Sequence, residues 1–448
     1  MNVARYFLFL ASIALGATVL AAGPALADAT ILKYDKQGRV IDSDEIKSKK
    51  GTTGATGAPT GSRTKGKARR TPASTGPGKP GKSIEMKTIP NPNDQFEKGE
   101  VMVLGDPVKM EDKLKSLGFT IIEKVPMAEL GLTAIRLKIP KRMSERQALS
   151  ILRSNFPNII SDMHTVFDLS QGPAAGSSDF AIRLVGWGRV APTCGKGVRI
   201  GMIDTYPDTK HPMLKGQKIV AFNFVPKDKR PAVSDHGTGI AGLLVGKPYR
   251  GSPGGLLPGA QLLAGGIFEK RKDGKPRGNL MAFLKAINWL AKNKVSVVNL
   301  SIAGSKNKVL TKVASKSVKS GLILVAAAGN AGPGAKPAYP AAYSEVVSVT
   351  ALDGRRRIYR HANRGKYIDF AAPGVAIWAA GKRGGKLQSG TSFAVPFITS
   401  LVALLVHGGN PRDPKVLRAK LRGYVQDLGK PGKDTDFGFG MVRVRPSC

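Results

Sequence analysis

The stretch Ser389-Gly-Thr-Ser392-Phe-Ala-Val-Pro396 does most to decide the fold of this chain. It opens an apolar run that continues to Val406, and this pattern predicts a buried helix that begins beside Ser392. The positive end of the helix dipole would then lie next to the serine hydroxyl, where negative charge is stabilised. A membrane-spanning helix is not favoured, since the run is short and contains Thr399 and Ser400.

Three motifs upstream supply the other groups that a serine nucleophile needs. Val198-Arg-Ile-Gly-Met-Ile-Asp204 reads as a buried strand that ends in a carboxylate, and His236-Gly-Thr-Gly places an imidazole at a predicted helix N-terminus. Leu324-Val-Ala-Ala-Ala-Gly-Asn330 supplies a side-chain amide. Histidine accepts the serine proton because its ordinary pKa, roughly 6.5, lies near neutrality, and an aspartate fixes the tautomer of the ring.

Each motif alone is weak, because an aspartate after a strand is more often a turn residue. Together, in the order Asp, His, Asn, Ser, they resemble the subtilisin-like serine peptidases, the subtilases. The resemblance implies that Asp204, His236 and Ser392 form a catalytic triad. It also implies that Asn330 and the backbone N–H of Ser392 form the oxyanion hole.

The segment Asn299-Leu-Ser-Ile-Ala-Gly304 follows a mostly apolar strand and resembles the substrate-binding strand of that family. The resemblance implies substrate contacts at Asn299, Leu300, Ser301 and Ala303. Ala303 stands where a glycine is common, so one subsite would be narrower. The alternative is a plain buried strand and turn with no substrate role.

The chain departs from the family pattern near the acid. Tyr206 stands where a glycine is usual, and Met213 stands where the family has an aspartate that binds calcium. A thioether is a poor ligand for a hard cation, so no calcium site is carried over to this position. Calcium binding elsewhere stays open, for example through Asp228, Asp235 or Asp273 in polar stretches.

The C-terminal part, residues 177–448, is predicted to be the subtilase catalytic domain, of the α/β class. Apolar strands alternate with helical stretches, which favours a parallel sheet with helices on both faces. The predicted strands lie near Val198, Ile219, Leu262, Val295, Leu322 and Val346.

Residues 95–169 predict a small α+β domain of the order βαββαβ, the ferredoxin-like unit. Ser144 and Gln147 form a capping box that marks the start of its second helix. Directly before a subtilase domain, this unit resembles the inhibitory propeptide of the family. A permanently attached accessory domain without inhibitory function is the alternative.

Two further segments precede this unit. Residues 1–27 read as a secretory signal peptide, with Arg5 before an apolar stretch and Ala25-Leu-Ala27 as the cleavage pattern. Residues 28–94 are rich in Gly, Pro, Lys and Arg, and they predict a disordered basic segment. The expected location is therefore secreted, either periplasmic or extracellular. In such an oxidising compartment Cys194 and Cys448 either pair or remain two free thiols.

The formal net charge of +39 is the most unusual bulk property. It predicts either a well-solvated surface or adsorption to anionic polymers and lipid headgroups of the cell envelope. No nucleic-acid-binding motif accompanies it. We therefore expect a secreted serine endopeptidase that acts on proteins or peptides and binds its own propeptide. The rival is a catalytically inactive cationic envelope-binding protein that keeps the subtilase fold.

Overall fold

The computed structural model describes residues 96–169, 180–232, 235–250, 252–272, 274–446 and 448. The predicted signal peptide at residues 1–27 and the predicted basic segment at residues 28–94 lie outside the described residues. We refer to residues 96–169 as the N-terminal module and to the described residues from 180 onward as the C-terminal region.

The N-terminal module has the predicted order βαββαβ. Its elements are β1 (Phe96–Leu104), α1 (Pro107–Ser116), β2 (Thr120–Met127), β3 (Leu132–Lys138), α2 (Glu145–Asn155) and β4 (Ile160–Leu169). The strands pair antiparallel in the order β2-β3-β1-β4, which is the ferredoxin-like arrangement. Helix α2 begins with the predicted capping box, in which the Ser144 hydroxyl accepts from the backbone of Gln147.

Both faces of the module's sheet are buried, but against different partners. Val101 and Val103 pack on α1 and α2, so one face closes a core inside the module. Met102 and Leu104, which alternate with them, join the core of the C-terminal region instead. Since side chains alternate between the two faces of a strand, one short sequence serves both cores. The module is therefore seated on the C-terminal region through a full sheet face.

The C-terminal region alternates strands and helices as the sequence predicts, and six predicted strands are confirmed. Its elements are α3 (Phe180–Val185), β5 (Arg199–Asp204), β6 (Ile219–Asn223), α4 (Asp235–Val245), β7 (Gln261–Gly266), β8 (Phe268–Lys270), β9 (Pro276–Asn279), α5 (Leu280–Lys292), β10 (Val297–Leu300), β11 (Ile302–Ala303), α6 (Lys308–Lys319), β12 (Ile323–Ala327), β13 (Val347–Leu352), β14 (Phe370–Pro373), β15 (Ile377–Ala379), β16 (Lys386–Gln388), α7 (Thr391–His407), α8 (Pro414–Arg422), β17 (Val425–Gln426) and β18 (Met441–Val442).

The main sheet has nine strands in the order β17-β18-β14-β13-β12-β10-β5-β7-β6. All neighbouring pairs are parallel except β17 with β18. Helices cover both faces, as β12 illustrates: Ile323 and Val325 pack in the core that includes α4 and α7, whereas Leu324 and Ala326 pack in the core that includes α5 and α6. This is the subtilisin-like α/β fold that the motifs predict, with buried strands that are apolar throughout.

Cys194 and Cys448 form a disulfide, which settles the two alternatives that the sequence left open. Their Cα atoms are 4.9 Å apart, and the bond joins positions that are 254 residues apart in the chain. It ties the start of the C-terminal region to the last residue. Within the described ranges, no helix has the length and apolar character needed to cross a membrane.

Candidate active site

The carboxylate of Asp204 lies at the carboxyl end of β5, between β10 and β7. In an open parallel sheet this edge is where functional sites form. Asp204 is fully buried, and its Oδ1 accepts hydrogen bonds from the backbone N–H of Thr205 at 2.6 Å and from the Thr205 hydroxyl at 3.2 Å. These two donors hold the carboxylate in one orientation.

The imidazole of His236 lies beside this carboxylate. Its Nδ1 is 2.7 Å from Asp204 Oδ1, and the ring is 1% exposed. An ionised carboxylate can only accept hydrogen bonds, so the proton of this bond belongs on Nδ1 and the lone pair of the neutral ring lies on Nε2. Among the described residues Nε2 has no hydrogen-bond partner although it is buried. The ring is therefore oriented as a base whose proton-accepting atom is not yet used.

The backbone that carries His236 approaches Thr205 very closely. A Cβ atom built on Gly237 would lie 2.0 Å from the carbonyl oxygen of Thr205, so only glycine fits there. The Gly237 N–H donates to the Thr205 hydroxyl at 2.8 Å. Thr205 thus joins the helix that carries the imidazole to the strand that carries the carboxylate, a function that the sequence did not single out.

Ser392 is the second residue of α7 and is fully buried. Its hydroxyl donates to the carbonyl oxygen of Ser301 at 3.3 Å, and the Ser301 hydroxyl donates to the carbonyl oxygen of Ser392 at the same distance. The next residue, Phe393, meets the ring of His236 edge-on with 5.2 Å between centroids. The imidazole thus packs against the residue that follows the serine in the chain, while the serine hydroxyl points to Ser301 rather than to His236 Nε2.

Asn330 follows β12 and is held by the residue before the serine. Its Oδ1 accepts from both the backbone N–H and the hydroxyl of Thr391, each at 3.0 Å. Since the oxygen is occupied, the amide NH2 must point the other way. Nδ2 is buried and has no partner among the described residues. Asn330 therefore offers an unused, pre-oriented hydrogen-bond donor.

The turn before Asn330 depends on one glycine and one tyrosine. Gly329 has φ of 101°, and a Cβ there would lie 2.8 Å from the amide nitrogen of Asn363. The Tyr367 hydroxyl donates to the carbonyl oxygen of Ala328 at 2.6 Å. Burial raises the pKa of Tyr367 to about 12, so this hydroxyl stays protonated and keeps donating across the neutral range.

The four residues predicted to contact substrate fall into two groups. Asn299 and Leu300 are fully buried in β10, and the Asn299 amide bonds the hydroxyls of Ser301 and Thr399. Ser301 and Ala303 follow at the end of that strand, where Ser301 receives the bond from Ser392 and Ala303 pairs with another chain segment. Asn299 and Leu300 therefore support the site from inside the sheet, whereas Ser301 and Ala303 line it.

That other segment is β4, the last strand of the N-terminal module. On one side Leu169 and Asp168 pair antiparallel with Ile302 and Ala303 of β11. On the other side Val166 and Phe167 pair antiparallel with Asn279 and Gly278 of β9. We call the groove between β9 and β11 the cleft. Sequence reasoning identified β11 but missed β9, although its Gly-Asn pair directly before an apolar helix was a usable signal.

Gly304 makes room for the strand in the cleft. A Cβ at this position would lie 2.8 Å from the ring of Phe167. Phe167 is fully buried there and contacts Phe283 with 5.6 Å between ring centroids. The cleft therefore holds β4 as an extended strand through backbone pairing on both sides, with one large apolar side chain in a pocket.

The N-termini of α5 and α6 also receive groups from β4. Asp162 accepts from the backbone N–H of Lys308 at 2.7 Å, and His164 Nε2 accepts from the N–H of Met281 at 3.3 Å. These acceptors satisfy N–H groups that a helix start leaves without partners. His164 in turn contacts Glu100, with Nδ1 2.7 Å from the carboxylate.

Met213 is an apolar core residue and does not suit a cation. It is 1% exposed and packs against α4, where a Cβ at Gly246 would lie 2.7 Å from its Cγ. The neighbouring His211 uses Nδ1 to accept from the Met213 N–H, and its Nε2 is 3.2 Å from the carbonyl oxygen of Gly384. Within the described part of the chain, no group of three or more His, Cys, Asp and Glu side chains is arranged to hold a metal.

Comparison with known proteins agrees with this geometry. The sequence profile of the subtilase family matches residues 195–440, more than half of the chain, and the chain belongs to that family. The major intracellular serine protease of Bacillus subtilis (strain 168) is 35% identical over 47% of this chain and 69% of its own length. The minor extracellular protease Epr of the same organism is 32% identical over 56% of this chain, which spans 38% of the length of that relative.

A solved structure with the same fold is that of fervidolysin from Fervidobacterium pennivorans, described as a keratinolytic enzyme related to subtilisin. It superposes with a TM-score of 0.64 at 22% identity and covers 78% of this chain and 61% of its own. At this identity the likeness establishes the fold, and the subtilisin-like architecture described above is thereby confirmed.

Proposed function

We propose that this protein is a secreted serine endopeptidase that hydrolyses peptide bonds through Asp204, His236 and Ser392. The observation that carries the proposal is a pair of buried, unused polar atoms on two residues that contact the chain neighbours of the serine. His236 Nε2, a base, contacts the cluster through Phe393, and Asn330 Nδ2, a donor, is held by Thr391. A base and an oxyanion donor on either side of one serine is what acyl transfer requires.

The first chemical step needs the serine hydroxyl to leave Ser301 and turn toward His236 Nε2. Catalytic hydrogen bonds are often long or misaligned before substrate binds, so the observed orientation is compatible with this step. The Oγ atom then forms a bond to the scissile carbonyl carbon while its proton passes to Nε2. The imidazolium that results is stabilised by Asp204, and it protonates the leaving amine as the C–N bond breaks. Water then hydrolyses the acyl-enzyme by the same proton route.

The negative charge that develops on the carbonyl oxygen is received by Asn330 Nδ2 and by the backbone N–H of Ser392. As the second residue of α7, Ser392 has an N–H that no carbonyl within the helix accepts. Donors fixed before the reaction cost no reorganisation when the charge appears, which is why they lower the barrier.

We further propose that the N-terminal module, predicted as residues 95–169, is the inhibitory propeptide of the catalytic domain predicted as residues 177–448. Its strand β4 occupies the cleft between β9 and β11, where an extended substrate would bind. The segment Ser170-Gln-Gly-Pro-Ala-Ala-Gly-Ser177 follows directly in the sequence and lies outside the described residues. Because its residues are small and polar, we propose it as the place of cleavage. If processing is autocatalytic, Ser392→Ala accumulates as the longer form, whereas normal processing of this variant would assign the cleavage to another protease.

Secretion is part of the proposal. It rests on the signal-like residues 1–27, on the disulfide between Cys194 and Cys448, and on the extracellular relative. Fractionation of the producing cells tests it: the exported protein is expected in the periplasm or the medium, with Asp28 or a later residue at its N-terminus.

The decisive experiment is labelling of the mature, folded protein with a fluorophosphonate probe, which reacts with activated serines. We expect stoichiometric modification of Ser392, none in Ser392→Ala, and strongly reduced labelling in His236→Ala. A folded mature protein that does not react would instead favour the inactive envelope-binding protein, for which the net charge of +39 is the supporting observation.

A further inference from the structure

A strongly basic hairpin forms one side of the cleft. It comprises β8, the turn and β9, residues 268–279, and we call it the basic hairpin. It carries five cationic and two acidic side chains, a formal excess of three positive charges, in the residues Lys270, Arg271, Lys272, Lys275 and Arg277 against Glu269 and Asp273. All of these cations are exposed except Arg277, which is half-buried. The triad chemistry does not require this charge.

The strand in the cleft presents an acid to this hairpin. The register between β4 and β9 pairs Phe167 with Gly278, and its continuation by one residue places Asp168 opposite Arg277. The pairing of Asp168 with Ala303 on the other side fixes its position along the cleft. The Asp168 side chain is exposed at the edge of the cleft. Partial desolvation raises its pKa, and the smaller effect of the positive charges of Arg277, Arg271 and Lys275 lowers it.

A second acid of the module also faces the hairpin. Arg277 donates to the carbonyl oxygen of Phe96 at 3.2 Å, and its Nε lies 3.7 Å from the Glu97 carboxylate. Both partners belong to β1, so Arg277 loses them when the module leaves. The mature cleft would then have a cationic edge that was previously matched by Glu97 and Asp168.

Strand β11, on the opposite side of the cleft, contains no charged residue. There the contact is made by the backbone of Ile302 and Ala303, whose side chains are apolar. Charge selection on the bound strand therefore comes from β9 and its hairpin. Glu269 reduces the positive charge of the hairpin but does not reverse it, since cationic side chains remain in excess.

We propose that the basic hairpin makes the mature enzyme prefer peptides with Asp or Glu at the position that Asp168 holds in the cleft. This inference rests on the proposed peptidase function and specifies its substrate class. Asp168 is exposed, so the charges of the hairpin act on this position largely through solvent, and the effect is a preference and not a requirement. An advantage of about tenfold in kcat/KM for Asp over Lys is the size expected from a few charges acting through water and salt.

The test uses the mature enzyme and a peptide library in which Asp, Asn or Lys occupies each position in turn on the amino side of the cleaved bond. We expect one position at which kcat/KM decreases in the order Asp, Asn, Lys. The ratio of kcat/KM for Asp to that for Lys should be smaller at high salt than at low salt. Arg277→Gln, and the double variant Arg271→Gln with Lys275→Gln, should each reduce this ratio. Lys420→Gln on α8, an exposed cation outside the cleft, is the matched control and should leave it unchanged.

The outcomes separate this inference from the proposed function. An enzyme that reacts with the fluorophosphonate probe and cleaves peptides without preference for acids would overturn the inference alone. A preference that survives in all hairpin variants would also overturn it, because the selectivity would then come from elsewhere. A mature protein that neither reacts with the probe nor cleaves any peptide would overturn both.

Discussion

Replacing Thr391 by valine tests whether the threonine hydroxyl orients Asn330. Valine keeps the shape of the side chain and the backbone N–H bond to Asn330 but removes the hydroxyl, which donates to Asn330 Oδ1 at 3.0 Å and accepts from the Gly329 N–H at 3.2 Å. The amide of Asn330 would then be held by one donor instead of two. We expect the oxyanion donor to spend less time in its productive orientation.

The magnitude follows from the two bonds. One neutral hydrogen bond contributes about 0.5–1.5 kcal/mol, which corresponds to a decrease in kcat of roughly two- to twelvefold if it acts only on the orientation of Asn330. The Gly329 N–H left without its acceptor in a buried site should lower the free energy of unfolding by about 1–3 kcal/mol. Asn330→Ala, which removes the donor itself, should cost about 10²–10³ in kcat, as for the corresponding donor of subtilisin.

The assay is steady-state hydrolysis of a peptide substrate by mature enzyme whose active sites have been titrated, together with urea unfolding. We expect the loss in kcat, with little change in KM, because the donor acts on the developing oxyanion. Thr391→Ser retains the hydroxyl and is the matched control. A stable Thr391→Val variant with the kcat of the parent would refute the reasoning, and an equal loss in Thr391→Ser would assign the effect to the methyl group.

Three further predictions concern stability. Cys448→Ser removes a disulfide that closes a separation of 254 residues, and it should lower the free energy of unfolding by about 2–5 kcal/mol, matching the effect of reductant on the parent protein. Because Met213 packs as an apolar residue, a chelator should change the unfolding free energy of the mature enzyme by less than about 1 kcal/mol, whereas losing a calcium site held at 100 times its Kd would cost about 2.7 kcal/mol. Burial alone would raise the pKa of Glu100, but the hydrogen bonds and charges of His164 and Arg136 outweigh it and lower the pKa. A lowered carboxylate pKa stabilises the fold above the ordinary value of the group, and this contribution is lost as pH falls through the folded-state pKa. In the unprocessed Ser392→Ala chain, Glu100→Gln should therefore destabilise at pH 7 and have much less effect at pH 3; an equal effect at both pH values would contradict this.

The secondary structure of the N-terminal module was predictable because its signals are local. The capping box at Ser144 and Gln147 predicts the start of α2, and the short apolar run from Val101 to Leu104 is typical of a strand. The sequence pattern predicts the first strand of the module only from Glu100 to Leu104. Strand β1 instead starts at Phe96, where pairing with Thr165 extends it beyond an irregularity in the register. Such an extension depends on a partner strand, which local sequence does not specify.

In the C-terminal region, the missed elements are the short ones. Strand β9 is four residues long and contains Gly278, so it lacks the apolar alternation that identifies a strand. It forms because β4 and β8 supply hydrogen-bond partners on both sides. For the same reason the cleft, which needs β9 and β11 to lie on either side of one segment, could not be derived from the motifs.

The sequence by itself determined the residue types available for chemistry, their order along the chain, the alternation of strands and helices, and the excess of positive charge. These features follow from local chemistry and periodicity, which need no knowledge of distant contacts. Only the tertiary structure decided that Asp204 lies 2.7 Å from His236, that Thr391 fixes the direction of the Asn330 amide, and that β4 pairs with β9 of the basic hairpin. Each of these joins residues far apart in the chain, and such contacts are set by how sheets and helices pack, where shape and register over the whole fold decide which side chains meet.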